Sequence, residues 1–224
     1  MKLYMHPVSM TSRPVRLFIA ENGIKADEQV VDLMKGEHMQ PAYGEINPSR
    51  LVPVLEDGDL RLTESSAILK YLADKIGSPA YPKDLKKRAK VNEVMDWLNT
   101  QFYRDWAYNL CYPQIFPHHK RRSDEAHSGA IEWGKKNSQK WLQILNDHFI
   151  GPKNNYLAGN EITVADYFGS GLVTLGEVIH IDFSKYPNVA RWLGNMKRLK
   201  HWNEVNEVFN GLVASTKGKD FERV

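Results

Sequence analysis

The chain has 224 residues, long for one compact core and ample for two small domains. Hydrophobic residues make up 42% and charged residues 25%, which excludes a disordered chain, and 30 basic against 27 acidic residues leave a net charge of +3, too small a surplus to signal nucleic acid. The single cysteine, Cys111, excludes an intramolecular disulfide, and the lack of a leader pattern or bilayer-length apolar run predicts a cytoplasmic protein without a membrane partner.

Lys2-Leu3-Tyr4-Met5 alternates and predicts a strand, followed by a turn-rich segment from His6 to Ser12. A helix follows, with Ser12 as the expected N-cap, Pro14 in the first turn, Val15, Phe18 and Ile19 on one face, and Asn22-Gly23 as the stop. Gln29 to Leu33 supplies a second strand, and so short a connection implies a right-handed parallel unit. Val52 to Glu56 and Leu60 to Leu62 flank the turn Asp57-Gly58-Asp59, a hairpin signal. A helix from about Glu64 to Ile76 buries Ile68, Leu69, Leu72 and Ile76 and stops at Gly77. Residues 1–77 therefore read as a βαβ-ββα domain, and Pro79 and Pro82 mark a linker over 78–86. From 87 to 224 the period is helical throughout: Val91, Val94, Met95, Leu98 and Phe102 mark one long helix, and Ile131, Trp141, Leu142, Leu145 and Phe149 another. Further helices are expected from Thr163, Pro187 and about Trp202, and the polar stretch from Ser215 to Val224 is expected to fray.

Several positions carry possible chemistry, each with a structural alternative. Pro53 at the start of a strand is either an ordinary edge proline or, if cis, a device that turns the Val52 backbone outward to pair with a peptide ligand. Glu64-Ser65-Ser66 either caps its helix or forms an anion site with a carboxylate beside it for an amine. Ser9, in the loop after the first strand, is either a turn serine or a hydroxyl that donates to a bound thiolate. Thr163-Val164-Ala165-Asp166 is a capping box. Trp97, Tyr103, Arg104, Trp106 and Tyr108 form either core or the wall of an apolar pocket. His118 and His119 lack partners at metal-ligand spacing, so no metal is expected.

Taken in this order, the segments Val8-Ser9-Met10-Thr11-Ser12-Arg13, Asp32 to His38, Val52-Pro53, Glu64-Ser65-Ser66-Ala67-Ile68 and Thr163 to Asp166 resemble the cytosolic glutathione transferases, in particular a serine-type, theta-like member of bacterial style. The resemblance implies a thioredoxin-like N-terminal domain, an all-helical substrate domain over 87–224, and a homodimer. It implies that Ser9 stabilises the glutathione thiolate, that His38 and Arg50 meet the glycine end, that Val52 and Pro53 receive the cysteinyl backbone, and that Glu64 and Ser65 hold the γ-glutamyl end. Tyr103, Arg104 and Trp106 would line the pocket for a small, largely apolar electrophile. Glutathione is then a co-substrate rather than a resident cofactor. Met10-Thr11 departs from the commoner Gln-Pro of the family, and Leu51 stands where relatives carry a polar or basic residue. Rival expectations are a non-catalytic glutathione-binding protein, and a dehalogenase or disulfide reductase on the same scaffold.

Overall fold

Four short strands, β1 (Lys2–Met5), β2 (Asp27–Val30), β3 (Val54–Asp57) and β4 (Leu60–Leu62), form one mixed sheet in the order β2-β1-β3-β4. The computed structural model describes all residues from Met1 to Val224. β1 runs parallel to β2 and antiparallel to β3, with Leu3 opposite Leu55 and Tyr4 opposite Val54. Because successive side chains alternate, Leu3, Met5 and Leu55 are buried toward α1 (Ser12–Glu21) and α3 (Ser65–Lys75), while Val54 points the other way. There Val31, Tyr43, Val52 and Val54 make a small separate cluster with α2 (Pro41–Ile46). This is the thioredoxin-like arrangement expected of the N-terminal half.

The rest of the chain is helical: α4 (Leu85–Trp97), π-type turns from Leu98 to Cys111, α5 (Tyr112–Ile115), α6 (Asp124–Ile144), α7 (Val164–Val173), α8 (Pro187–Lys197) and α9 (Trp202–Ser215). α7 is buried at all of its positions, as expected of a helix apolar on every side, and packs on both α1 and α3. One core of 47 residues consequently runs through both halves. Arg13 locks the junction. Its fully buried guanidinium donates to Asn206 at 2.6 Å, to the Gly171 carbonyl at 3.0 Å and to Thr174 at 3.2 Å, and stacks 3.6 Å over Phe209. The capping box at α7 is present, and its Asp166 also accepts from the Leu157 amide at 2.7 Å and the Trp192 indole at 3.0 Å.

Five expectations need correction. Ile76, expected in the buried stripe of α3, is the residue after its last turn and is exposed. The second strand lies at Asp27–Val30 rather than Gln29–Leu33, because Asp32 accepts from the Met34 and Lys35 amides and turns the chain away from the sheet. β3 begins two residues later than expected, at Val54, after the Val52–Pro53 step. Ser12 is not the N-cap of α1 but its first helical residue, fully buried, with Thr11 at the cap position. The C-terminal stretch does not fray: Glu222 exchanges two hydrogen bonds with Gln114, at 2.7 and 3.0 Å, pairs with Lys135 at 2.8 Å, and leaves Val224 buried.

Candidate active site

A cleft of about 540 Å³, open to solvent, lies between the halves where the loop after β1, the approach to β3 and the start of α3 converge. In the first of these segments Ser9 is 8% exposed. Its Oγ accepts from the Ser12 amide at 3.2 Å and, less directly, from the Thr11 amide at 3.3 Å. Ser9 therefore serves the free amides at the start of α1, the work expected of Ser12, whose own hydroxyl takes only a long 3.5 Å bond from the His6 amide. Ser9 Oγ also lies 3.0 Å from Thr11 Oγ1, and Thr11 Oγ1 donates to the Val52 carbonyl at 2.9 Å.

The Val52–Pro53 peptide is cis. The carbonyl just before it, on Leu51, accepts from the Tyr43 hydroxyl at 2.8 Å and the Asn47 side-chain amide at 2.9 Å, so this stretch is held in place from below. At the third segment Glu64 adopts φ 65° and ψ 109°, a left-handed conformation that costs a non-glycine residue on the order of 1–3 kcal/mol. It sets Ser65 at the first position of α3, and Ser65 and Ser66 line the cleft with the helix's free N-terminal amides. The Glu64 side chain makes no capping bond to α3, and Glu64 also lines the cleft.

Val52, Pro53, Glu64 and Ser65 are thus gathered around one opening, with Ser9 directly behind Thr11. His38 and Arg50 do not join this wall. His38 sits in a short helical turn, Glu37–Met39, with a buried Nδ1 that has no partner in the chain. Burial, reinforced by nearby His118, holds its imidazole below the ordinary histidine range. Arg50 turns its guanidinium back to the Met39 carbonyl at 2.6 Å.

Of the three positions expected on the second-substrate wall, Tyr103 lines the cleft and the other two do not. Arg104 is exposed and pairs with Asp105 at 3.2 Å, while Trp106 is a fully buried core residue whose indole donates to the Leu172 carbonyl at 2.9 Å. Asn99 and Tyr108 take their place beside Tyr103. The reason is the winding: π-type turns bring residues five apart onto one face, and the Tyr103 and Tyr108 rings meet edge to face at 5.4 Å. The Tyr103 hydroxyl lies 2.9 Å from that of Tyr112, which in turn contacts the Met10 sulfur, tying this wall to the loop that carries Ser9. Burial pushes both phenols well up, so they carry their protons at neutral pH. Cys111 is fully buried and its thiol is pushed up by that burial, which removes it as a nucleophile. No cluster of three or more His, Cys, Asp or Glu side chains is arranged to hold a metal ion.

The sequence reading missed Thr11, Asn47, Asn99 and Tyr43. Thr11 alone had a visible signal, as a hydroxyl two residues from Ser9 in the same loop; the others are placed by tertiary contacts.

Comparison with known proteins agrees with this geometry. Residues 1–74 match the glutathione S-transferase N-terminal domain and residues 125–200 the glutathione S-transferase C-terminal domain. The chain is 34% identical over 200 residues to glutathione S-transferase theta-1 of Homo sapiens, an alignment covering 86% of this chain and 80% of that protein. Among solved structures, human glutathione transferase theta-2, in complex with glutathione and an unknown ligand, superposes with a TM-score of 0.84 at 28% identity, covering 100% of this chain and 93% of that one. A delta-class glutathione transferase of Nilaparvata lugens gives a TM-score of 0.81 at 30% identity, covering 96% and 99% of the two chains. With both domain types on one chain in the expected order, and a cleft between them built from the loop after β1, the cis-proline step and the start of α3, the protein belongs to the cytosolic glutathione S-transferases and is a glutathione transferase.

Proposed function

We propose that this glutathione transferase is of the serine-type, theta-like class, with Ser9 as the group that stabilises the glutathione thiolate. The observation that carries this reading is the position of the Ser9 hydroxyl. It lies at the carboxyl end of β1, accepts from two amides at 3.2 and 3.3 Å, and stands next to Thr11, whose hydroxyl reaches the Val52 carbonyl. An oxygen that accepts from two donors is polarised toward giving up its own proton in a hydrogen bond.

Glutathione would lie extended along Val52 and Pro53, its cysteinyl amide and carbonyl paired with the Val52 backbone. The γ-glutamyl carboxylate would meet the free amides of Ser65 and Ser66, and its ammonium would meet Glu64. The glycine carboxylate would reach toward His38, with Arg50 swinging from Met39 to join it. A free thiol ionises near pH 8.5, so only about a few per cent is thiolate at neutral pH. A charge-assisted bond from Ser9 favours the anion, and the displaced proton goes to water. The thiolate then attacks an electrophilic carbon held against Tyr103 and Tyr108; a carbon–sulfur bond forms as the leaving group departs with its electron pair.

Residues 1–77 form the glutathione domain, 78–86 the linker and 87–224 the substrate domain in this reading, and two copies associate as a cytoplasmic homodimer. Support for the dimer is the family and the exposed Leu51, Met39 and Met34 on the N-terminal half. The test is ultraviolet absorbance of bound glutathione thiolate at pH 7: wild type gives the signal and Ser9→Ala loses most of it. A full signal from Ser9→Ala overturns the assignment.

A further inference from the structure

The hydroxyl of Ser9 has one proton and an oxygen that already accepts from two amides. The side chain within reach of that proton is Thr11 Oγ1, at 3.0 Å. Thr11 in turn places its own proton on the Val52 carbonyl at 2.9 Å. In the free enzyme the two hydroxyls therefore form a directed chain, Ser9 to Thr11 to Val52, in which every donor is served. Of the two, Thr11 lines the cleft, while Ser9 is 8% exposed behind it.

A peptide ligand paired with Val52 alters this count. Its amide donates to the Val52 carbonyl as a second donor, so the carbonyl stays satisfied if the Thr11 proton turns elsewhere. Its sulfur arrives beside the loop as an anion, a stronger acceptor than either a carbonyl or a neutral hydroxyl, since hydrogen bonds to charged groups are roughly twice as strong as neutral ones. Both hydroxyl protons then gain by turning to the sulfur.

We propose that Thr11 is a second catalytic hydroxyl, one that donates to the Val52 carbonyl in the free enzyme and to the glutathione thiolate, alongside Ser9, in the complex. The inference rests on the reading of Ser9 and Val52 above. No bond to carbon is made or broken in this step: the thiol proton leaves to water, and two neutral hydroxyls reorient around the anion. The pair divides what one serine would otherwise do alone, so neither substitution by itself removes the whole effect.

The experiment measures the pKa of the bound thiol by thiolate absorbance, with the pH profile of kcat/KM beside it, in Thr11→Val, Thr11→Ala, Thr11→Ser, Ser9→Ala and Ser9→Ala/Thr11→Val. Thr11→Val keeps the shape and removes the hydroxyl, and Thr11→Ala serves the same purpose should the valine fold poorly. Losing one charge-assisted donor should raise the bound-thiol pKa by about one to two units, whereas Thr11→Ser should match wild type. The double variant should rise further than either single one. If the hydroxyl-free Thr11 variants keep the wild-type thiol pKa, with or without a change in affinity or Tm, the proposal is overturned, and a raised pKa in Ser9→Ala would then leave the Ser9 reading intact. A rise in Thr11→Val with none in Ser9→Ala would support the Thr11 contact and overturn the Ser9 reading.

Discussion

Gly171 is where α7 presses on the loop that carries Ser9. A Cβ built at this position of α7 would lie 2.5 Å from the Met10 carbonyl oxygen and 2.7 Å from Pro14 Cδ, against backbone and a rigid ring rather than a flexible side-chain end. Gly171→Ala must therefore push the loop between Ser9 and Arg13 outward, by roughly 0.5–1 Å to restore ordinary contact distances. Overpacking of this kind costs about 1–3 kcal/mol, partly offset by about 1 kcal/mol from the better helix propensity of alanine. A misplacement near 1 Å at a reacting group costs on the order of a hundredfold in rate, so the expected loss in kcat/KM is roughly ten- to a hundredfold. Gly169→Ala is the control: two residues away on the same helix, its Cβ would meet the ends of the Leu157 and Leu98 side chains at 2.9 and 3.1 Å, which can yield. It should alter the kinetics less than twofold. Steady-state kinetics with a chloronitrobenzene and thermal melts on both variants decide the matter. Wild-type kinetics in Gly171→Ala, or equal losses in both, would refute the claim that α7 positions the loop.

Asp166→Ala strands the buried Leu157 amide and Trp192 indole, at about 1–3 kcal/mol each, on top of about 0.5–2 kcal/mol for the lost capping box. We expect a Tm lower by roughly 6–20 °C with the bound-thiol pKa unchanged in whatever folds; an unchanged Tm would contradict it. His38, held below the ordinary histidine range by burial, should take up a proton when a carboxylate reaches it, offsetting part of the proton that the glutathione thiol releases on binding. Calorimetry in buffers of different ionisation enthalpy should show a larger net proton release in His38→Gln than in wild type; equal release in both excludes His38 as the glycine-end group. Light scattering should give twice the chain mass of 25.8 kDa, and a monomer at micromolar concentration would count against the dimer.

Local signals carried the order of elements well. The alternation of Lys2 to Met5, the Asp57-Gly58-Asp59 turn and the stripe of Ile68, Leu69 and Leu72 each reflect a single segment's own requirements, and each element formed, with only its ends shifted: β3 starts at Val54 and α3 stops before Ile76. The capping box at Thr163 was equally legible, since its partners are three residues apart. Failures cluster where distant contacts decide. Ser12 resembled a cap by composition, yet Ser9 accepts from the Thr11 and Ser12 amides from outside the helix and the core claims Ser12. Composition marked Trp106 and Tyr108 alike, and only the fold, with its π-type turns, turns Tyr108 to the cleft and Trp106 to the core. The tail from Ser215 was polar, but its bonds to Gln114 and Lys135 come from a surface more than 80 residues earlier. The three cleft segments were visible one by one, each with a bland alternative, and only the fold brings them to one opening.

The most direct test of the account is the pH dependence of turnover in Ser9→Ala compared with wild type, Ser12→Ala and Cys111→Ala. Loss of one charge-assisted donor at roughly 1.5–3 kcal/mol predicts a rate about ten- to a hundredfold lower at pH 6.5, with glutathione affinity nearly unchanged and the deficit shrinking as the pH approaches that of the free thiol. Ser12→Ala and Cys111→Ala, both buried away from the cleft, should keep the wild-type profile where they fold. Full activity in Ser9→Ala at pH 6.5, or a deficit that stays constant with pH, would contradict the central claim.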